Sequence, residues 1–210
     1  MSAPLVPATG WVVLHLFMRV GAGTDGEAVV TAVKDAAGTP DTQVVAFTVL
    51  GHKADFGVMA LAPDLWNLRR LQTALAAAGA DVASSYVSLT EVSEYAQGMP
   101  EERKRPRLYP ALPPEGKRAF CFYPMSKRRW VGANWYQERY EERDRLMREH
   151  GATGRTFAGR VVQLVTGSMG LDDFEWGVTL FAERPDDLKE VVSKMRYDEV
   201  SARFAEFGPF

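Results

Sequence analysis

VVQLVTGSMGLDDFEWGVTLFAERPDDLKEVVSKM, residues 161–195, decides the fold class. Val161–Thr166 and Phe174–Phe181 are rich in β-branched and aromatic residues and flank the turn-forming Gly167-Ser-Met-Gly170, which predicts two consecutive strands. Pro185 stands at a tolerated first-turn position and opens a helix over Pro185–Met195. Working outward, Arg118–Met125 reads as a strand and Glu138–Glu149 as a helix. Val200–Phe207 reads as a closing strand. The second half of the chain therefore runs β-α-β-β-α-β, the order of a ferredoxin-like module.

The first half has the same order. Trp11–Arg19 is a β-rich run, Glu27–Ala37 a helix ended by Gly38-Thr-Pro40, and Gln43–Leu50 and Phe56–Leu61 strands about Gly51-His-Lys-Ala. Asp64 is placed to cap a helix over Asp64–Ala78, in which Leu65, Leu68, Leu71 and Leu75 form one stripe and Gly79 marks the end. Ser84–Glu94 is a last strand. Between the halves prolines stand at 100, 106, 110, 113 and 114 amid charge, which reads as a connector without an element of its own. The expectation is an α+β chain of two tandem ferredoxin-like modules, residues 1–97 and 118–210, joined by a proline-rich connector over 98–117. Its antiparallel sheets carry helices outside, in the manner of a dimeric α+β barrel. The repeat rests on element order alone, because the halves share negligible residue identity.

Composition narrows the function. Of 210 residues, 46% are hydrophobic and 25% charged, an ordinary globular balance, and the formal charge of −2 gives no reason to expect nucleic acid. Cys121 is the only cysteine, so an intrachain disulfide and a C-x-x-C metal site are both excluded. The first twenty residues lack a signal-peptide pattern, and no apolar run reaches the roughly 18 residues a membrane helix needs. A cytoplasmic, non-membrane protein is expected.

The chemistry concentrates in two segments. In Phe120-Cys-Phe-Tyr-Pro-Met125 the period of two puts Cys121, Tyr123 and Met125 on one face and Phe120 and Phe122 on the other. Lys127, Arg128 and Arg129 follow where the strand runs out. A redox-capable phenol thus lies beside three consecutive cations. A buried tyrosine with a solvated basic turn is the alternative. The second segment is a polar helix leading to His150-Gly151, where Arg143, Leu146, Met147 and His150 lie on neighbouring rows. Its end presents an imidazole suited to iron. An imidazole there also serves simply to meet the helix dipole. Gln163, in an apolar strand, faces either a polar pocket or solvent. His15 and His52 lack a partner pattern and read as structural, and Asp172-Asp-Phe-Glu175 carries no assigned chemistry.

Several long runs resemble the chlorite-dismutase-like haem protein superfamily, and within it the coproheme decarboxylases. They are Pro106-Arg-Leu-Tyr-Pro-Ala-Leu-Pro113, Cys121-Phe-Tyr-Pro-Met-Ser-Lys-Arg-Arg129, Asn134-Trp-Tyr136, His150-Gly-Ala-Thr-Gly-Arg155, Gly167 through Phe181, and Met195-Arg-Tyr-Asp-Glu-Val-Ser-Ala-Arg-Phe-Ala-Glu-Phe-Gly-Pro-Phe210. The likeness is dense over about residues 100–210 and loose before them, where the first module is compressed. It implies hydrogen-peroxide-dependent decarboxylation of two propionates of Fe-coproporphyrin III (coproheme), which is both cofactor and substrate, to give haem b. It also implies roles: His150 as axial iron ligand, Tyr123 as the radical-forming tyrosine, and Lys127 beside a reacting propionate. Arg107, Arg196 and Ser201 match propionate anchors, Met125 a pocket residue, and Gln163 the distal residue above the iron. Chlorite dismutases resemble the chain in fold but place an arginine at the distal position. A chlorite dismutase or a non-enzymatic haem carrier are the rival readings. A homo-oligomer, commonly a pentamer in this family, and transient contact with a ferrochelatase are implied by resemblance only.

Overall fold

A computed structural model describes residues 3–96 and 98–210, which divide into two compact units. The first comprises residues 1–91 with 105–113, and the second residues 92–104 with 114–210.

In the first unit, strands β1 (Val12–Val20), β2 (Gln43–Thr48), β3 (Phe56–Ala62) and β4 (Ala80–Thr90) form an antiparallel sheet in the order β4-β1-β3-β2. Helices α1 (Gly26–Ala37) and α2 (Leu65–Ala77) cover one face. Both begin on an aspartate whose carboxylate takes otherwise unpaired amides: Asp25 accepts from Glu27 and Ala28 at 3.0 Å each, and Asp64 from Trp66 at 3.1 Å. The leucine stripe of α2 buries Leu68, Leu71 and Leu75 against Leu14, Leu16, Val58 and Ala60. That apolar burial is the main force holding helix to sheet. His15, on the other face of β1, is wholly buried, and burial drops its pKa to about 3, so the ring is neutral.

In the second unit, β5 (Ala119–Lys127), β8 (Val161–Gly167), β9 (Trp176–Ala182) and β10 (Ala205–Phe207) pair antiparallel in the order β10-β5-β9-β8. This is the same 4-1-3-2 arrangement by position in the module, so both halves are ferredoxin-like, as element order predicts. Between β5 and β8 come a hairpin of β6 (Arg129–Trp130) and β7 (Ala133–Asn134), a single 3-10 turn at Trp135–Gln137, and helix α4 (Tyr140–Arg155). Helices α5 (Pro185–Met195) and α6 (Glu199–Phe204) precede β10.

Three elements differ from expectation. The proline-rich stretch contains a helix, α3 (Glu101–Leu108), with Pro106 inside it. The helix formers around that proline outweigh the one backbone bond it cannot make. Beyond it, Gln43 pins the chain by donating to Pro110 O and accepting from Leu112 N, each at 2.6 Å. Second, α4 continues through Gly151 and Gly154 to Arg155, so His150 lies inside a helix and Gly151 does not end it. Third, most of Val200–Phe207 is helical. Val200, Ser201 and Phe204 are buried on one side of α6, and only Ala205–Phe207 remains as strand.

Candidate functional site

Registered pairs fix which side chains share the helix-covered face of the second sheet. Tyr123 stands opposite Val178, itself opposite Val165. Cys121 and Gln163 both stand opposite Leu180, and Met125 faces Trp176 on one side and Phe207 on the other. Paired residues in a sheet project to the same side. Tyr123, Met125, Lys127 and Gln163 therefore line one face. Leu188, Val191, Val192 and Met195 of α5, with Phe157, pack on the β5–β9 part of it. Gln163, one strand further over, is exposed.

Tyr123 is 8% exposed, edge-on to Phe207 with ring centroids 5.7 Å apart and stacked on Phe210 at 4.4 Å. Burial pushes its phenol above the ordinary value, Cys121 adds to the rise, and the Arg196 guanidinium opposes it. The phenol is thus held protonated and close enough to Arg196 to feel its charge. Arg196, the residue that ends α5, lies over the Phe207 and Phe210 rings.

Lys127 is only 9% exposed, and no carboxylate lies within 4.0 Å of its ammonium among the described residues. Its Nζ instead sits 4.5 Å from the centre of the buried Trp135 ring. Burial lowers its pKa to about 8, with Glu175 pulling the other way. Glu175 is itself buried. It accepts the Lys127 amide at 2.7 Å, and its other oxygen lies 3.7 Å from Arg129.

His150 is 26% exposed by side chain, and its Nδ1 lies 3.0 Å from an oxygen of Asp198. Thr153, one turn on, donates to the second Asp198 oxygen at 2.8 Å. A carboxylate can only accept, so Nδ1 carries the proton and the Nε2 lone pair remains for a ligand. Burial and then the Lys127 charge lower the imidazole pKa, and Asp198 opposes them. The ring is a neutral donor. Among the described residues no three His, Cys, Asp or Glu side chains gather to hold a metal ion.

Ser201 is buried on α6, three residues beyond Asp198. Arg107, on α3, belongs to the first unit. The second unit thus holds Tyr123, Met125 and Lys127 on one strand, Gln163 on the same face, Arg196 near the phenol, and His150 near the Lys127 charge.

Sequence reasoning passes over Asp198, Glu175, Trp135 and Phe210. Asp198 offers the one local signal. It occupies the cap position of α6 yet caps no amide, because its carboxylate is taken by His150 and Thr153. Glu175 and Phe210 act through partners distant in sequence, and Trp135 through Lys127 on the other side of the β6–β7 hairpin.

The sequence pattern of the chlorite dismutase family matches residues 22–210, and the chain belongs to that family. "Putative heme-binding protein NP_2262A" of Natronomonas pharaonis is 40% identical over 235 residues, an overlap of 96% of this chain. The chain spans 38% of that relative's length. A solved structure described as a novel heme-binding protein from Thermus thermophilus is 35% identical, with a TM-score of 0.83 over 100% of this chain and 93% of that one. A mutant chlorite dismutase from Candidatus Nitrospira defluvii has a TM-score of 0.75 over 96% of this chain and 89% of that one. At 19% identity it shares the fold alone. No helix among the described residues is long and apolar enough to cross a membrane.

Proposed function

We propose that this protein binds coproheme and, with hydrogen peroxide, turns two of its propionates into vinyl groups, releasing haem b. The observation that carries the reading is the buried ammonium of Lys127, which among the described residues has no carboxylate within 4.0 Å. It shares a sheet face with the Tyr123 phenol, and its charge reaches a neutral His150. A buried cation without an anion is costly, and a ligand carboxylate would complete it. The relatives named as heme-binding support the porphyrin part of the reading.

His150 would hold the iron through Nε2, with Asp198 fixing the tautomer. Lys127 and Arg196 would pair with propionates, Ser201 would donate to one, and Met125 would wall the pocket. Arg107 would add a further cation, a role that rests on the family resemblance. Bound, the iron centre and peroxide supply two oxidising equivalents per propionate. Each propionate, –CH2CH2COO⁻, with one H2O2 and one proton, becomes –CH=CH2, CO2 and two waters. Tyr123 gives up its hydroxyl hydrogen atom and then recovers one from the propionate β-carbon. Lys127 holds the carboxylate that leaves as CO2. Gln163 at the distal position offers a neutral amide, whereas chlorite chemistry would call for an arginine cation there. A cytoplasmic homo-oligomer, pentameric as is common in the family, receiving coproheme from a ferrochelatase is the setting we propose.

The test is to add ferric coproheme to the ligand-free protein, titrate peroxide, and follow the porphyrin by mass. Two successive losses of one CO2 with two hydrogens are expected. Tyr123→Phe should bind coproheme equally and yield almost no haem b; normal turnover in that variant would reject the radical role. Binding without product in the unaltered protein would reduce the reading to a haem carrier.

A further inference from the structure

The segment after α6 is built onto Tyr123. Phe207 pairs with Met125 through β10, and the Gly208 amide donates to the Pro124 carbonyl at 2.8 Å. Position 208 has no room for a side chain, since a Cβ there would lie 2.7 Å from both Phe174 Cζ and Pro124 Cγ. The backbone is thereby pressed against β5. Phe210 then lies over the phenol, ring planes 28° apart, while Phe207 meets the same ring edge-on at 64°. Phe210 is itself 41% exposed, so it forms the outer layer over a phenol that is 8% exposed. Arg196 faces both phenylalanines, its Cζ 5.3 Å from the Phe207 centroid and 5.7 Å from that of Phe210. Among the described residues no carboxylate lies within 4.0 Å of that guanidinium.

We infer that Phe210, clasped by Arg196, is the positioning residue of Tyr123: it fixes the phenol's ring plane and keeps water from it. Two aromatic contacts leave the ring little freedom, and a cation over both rings ties the pair to the end of α5. The same guanidinium that would anchor a propionate is the clasp. Ligand carboxylate and aromatic cover therefore compete for one cation, and by linkage the arrival of one loosens the other. The significance of this cover for chemistry rests on the decarboxylase reading. The cover itself does not, and it can be measured without porphyrin.

The experiment is nitration of the ligand-free protein with tetranitromethane, located by peptide mass. Tyr123 should react slowly in the unaltered chain. In Phe210→Ala and in Arg196→Gln its rate should rise about threefold to tenfold, the factor expected when one aromatic or cation–π contact is removed from an opening equilibrium. Tyr86, buried in the first unit, is the internal control and should stay unmodified. If Phe210→Ala nitrates Tyr86 as well, it has lost its fold, and Arg196→Gln, which removes no apolar cover, decides. The nitrated ring also reports its own ionisation in visible absorbance: its pKa should fall toward that of an exposed phenol in Phe210→Ala, and fall less in Arg196→Gln, where the loss of the cation works against the gain in exposure. Tyr123 reacting at the unaltered rate in a folded variant overturns the inference. Failure of the coproheme experiment would leave this result untouched.

Discussion

Lys127 shows at the scale of one residue how a buried cation costs stability. An ordinary lysine titrates near 10.4, and burial brings this one to about 8. A lysine whose folded pKa lies below its unfolded value destabilises the fold fully below the folded pKa. The penalty fades as pH rises toward the unfolded one. Lys127→Met should therefore raise stability at pH 7 by about 1–3 kcal/mol, with the gain shrinking by pH 10. Denaturant unfolding at both pH values checks it, and an unchanged or lowered midpoint at pH 7 would contradict the penalty. The same variant should bind coproheme more weakly. At this scale the period of two along Phe120–Met125 was enough to place Cys121, Tyr123 and Met125 on one face; Lys127, expected where the strand runs out, joins them because β5 continues to that residue. No local pattern could pair His150 with Asp198, 48 residues on, or lay Phe210 on Tyr123, because such partners meet only after the sheet and helices have packed.

Among the elements, β10 is short and depends on how closely it approaches β5. Gly208→Ala would force a methyl group against the Pro124 and Phe174 rings, and the Pro124 ring cannot swing aside. A cost of about 1–3 kcal/mol is expected from overpacking, with faster amide exchange over residues 205–210. A variant with unchanged melting temperature and exchange would show that the two strands have slack between them. The helices reveal where local signals mislead. Gly151 after His150 looks like a helix end. The turn beyond it is held instead by Thr153, bonded to Asp198, so tertiary contacts override a weak local preference. Val200–Phe207 has apolar residues that suit either period, and too few of them to decide between helix and strand. The leucine stripe of α2 was legible almost to the residue for the opposite reason, and β3 because it is a short continuous apolar run bounded by turn residues.

For the molecule as a whole, both units share one strand order, yet the candidate chemistry other than Arg107 lies in the second. The first carries a different pH sensitivity. His15 cannot accept a proton in the folded state until about pH 3, while the unfolded chain takes one near 6.5. Stability is therefore steady above about pH 6.5 and falls below it, by about 1.4 kcal/mol per pH unit for this one proton. His15→Asn should flatten that limb between pH 6.5 and 5.5, measured by urea unfolding. An equal slope in both proteins would show that other groups set it. Element order conveyed this duplicated architecture where residue identity could not, since the two halves need only place apolar residues at the same periods to fold alike.

The length of α4 past His150 has one last effect. A ring on a fraying helix end would share the end's nanosecond-to-microsecond openings, and any bond from that ring to iron would be strained each time. Here Gly151–Arg155 continue the shaft beyond the imidazole. Loosening at residues 156–160 would have to unwind more than a turn before the nitrogen moved, so the grip on a metal should be insulated from whatever happens in the loop that follows.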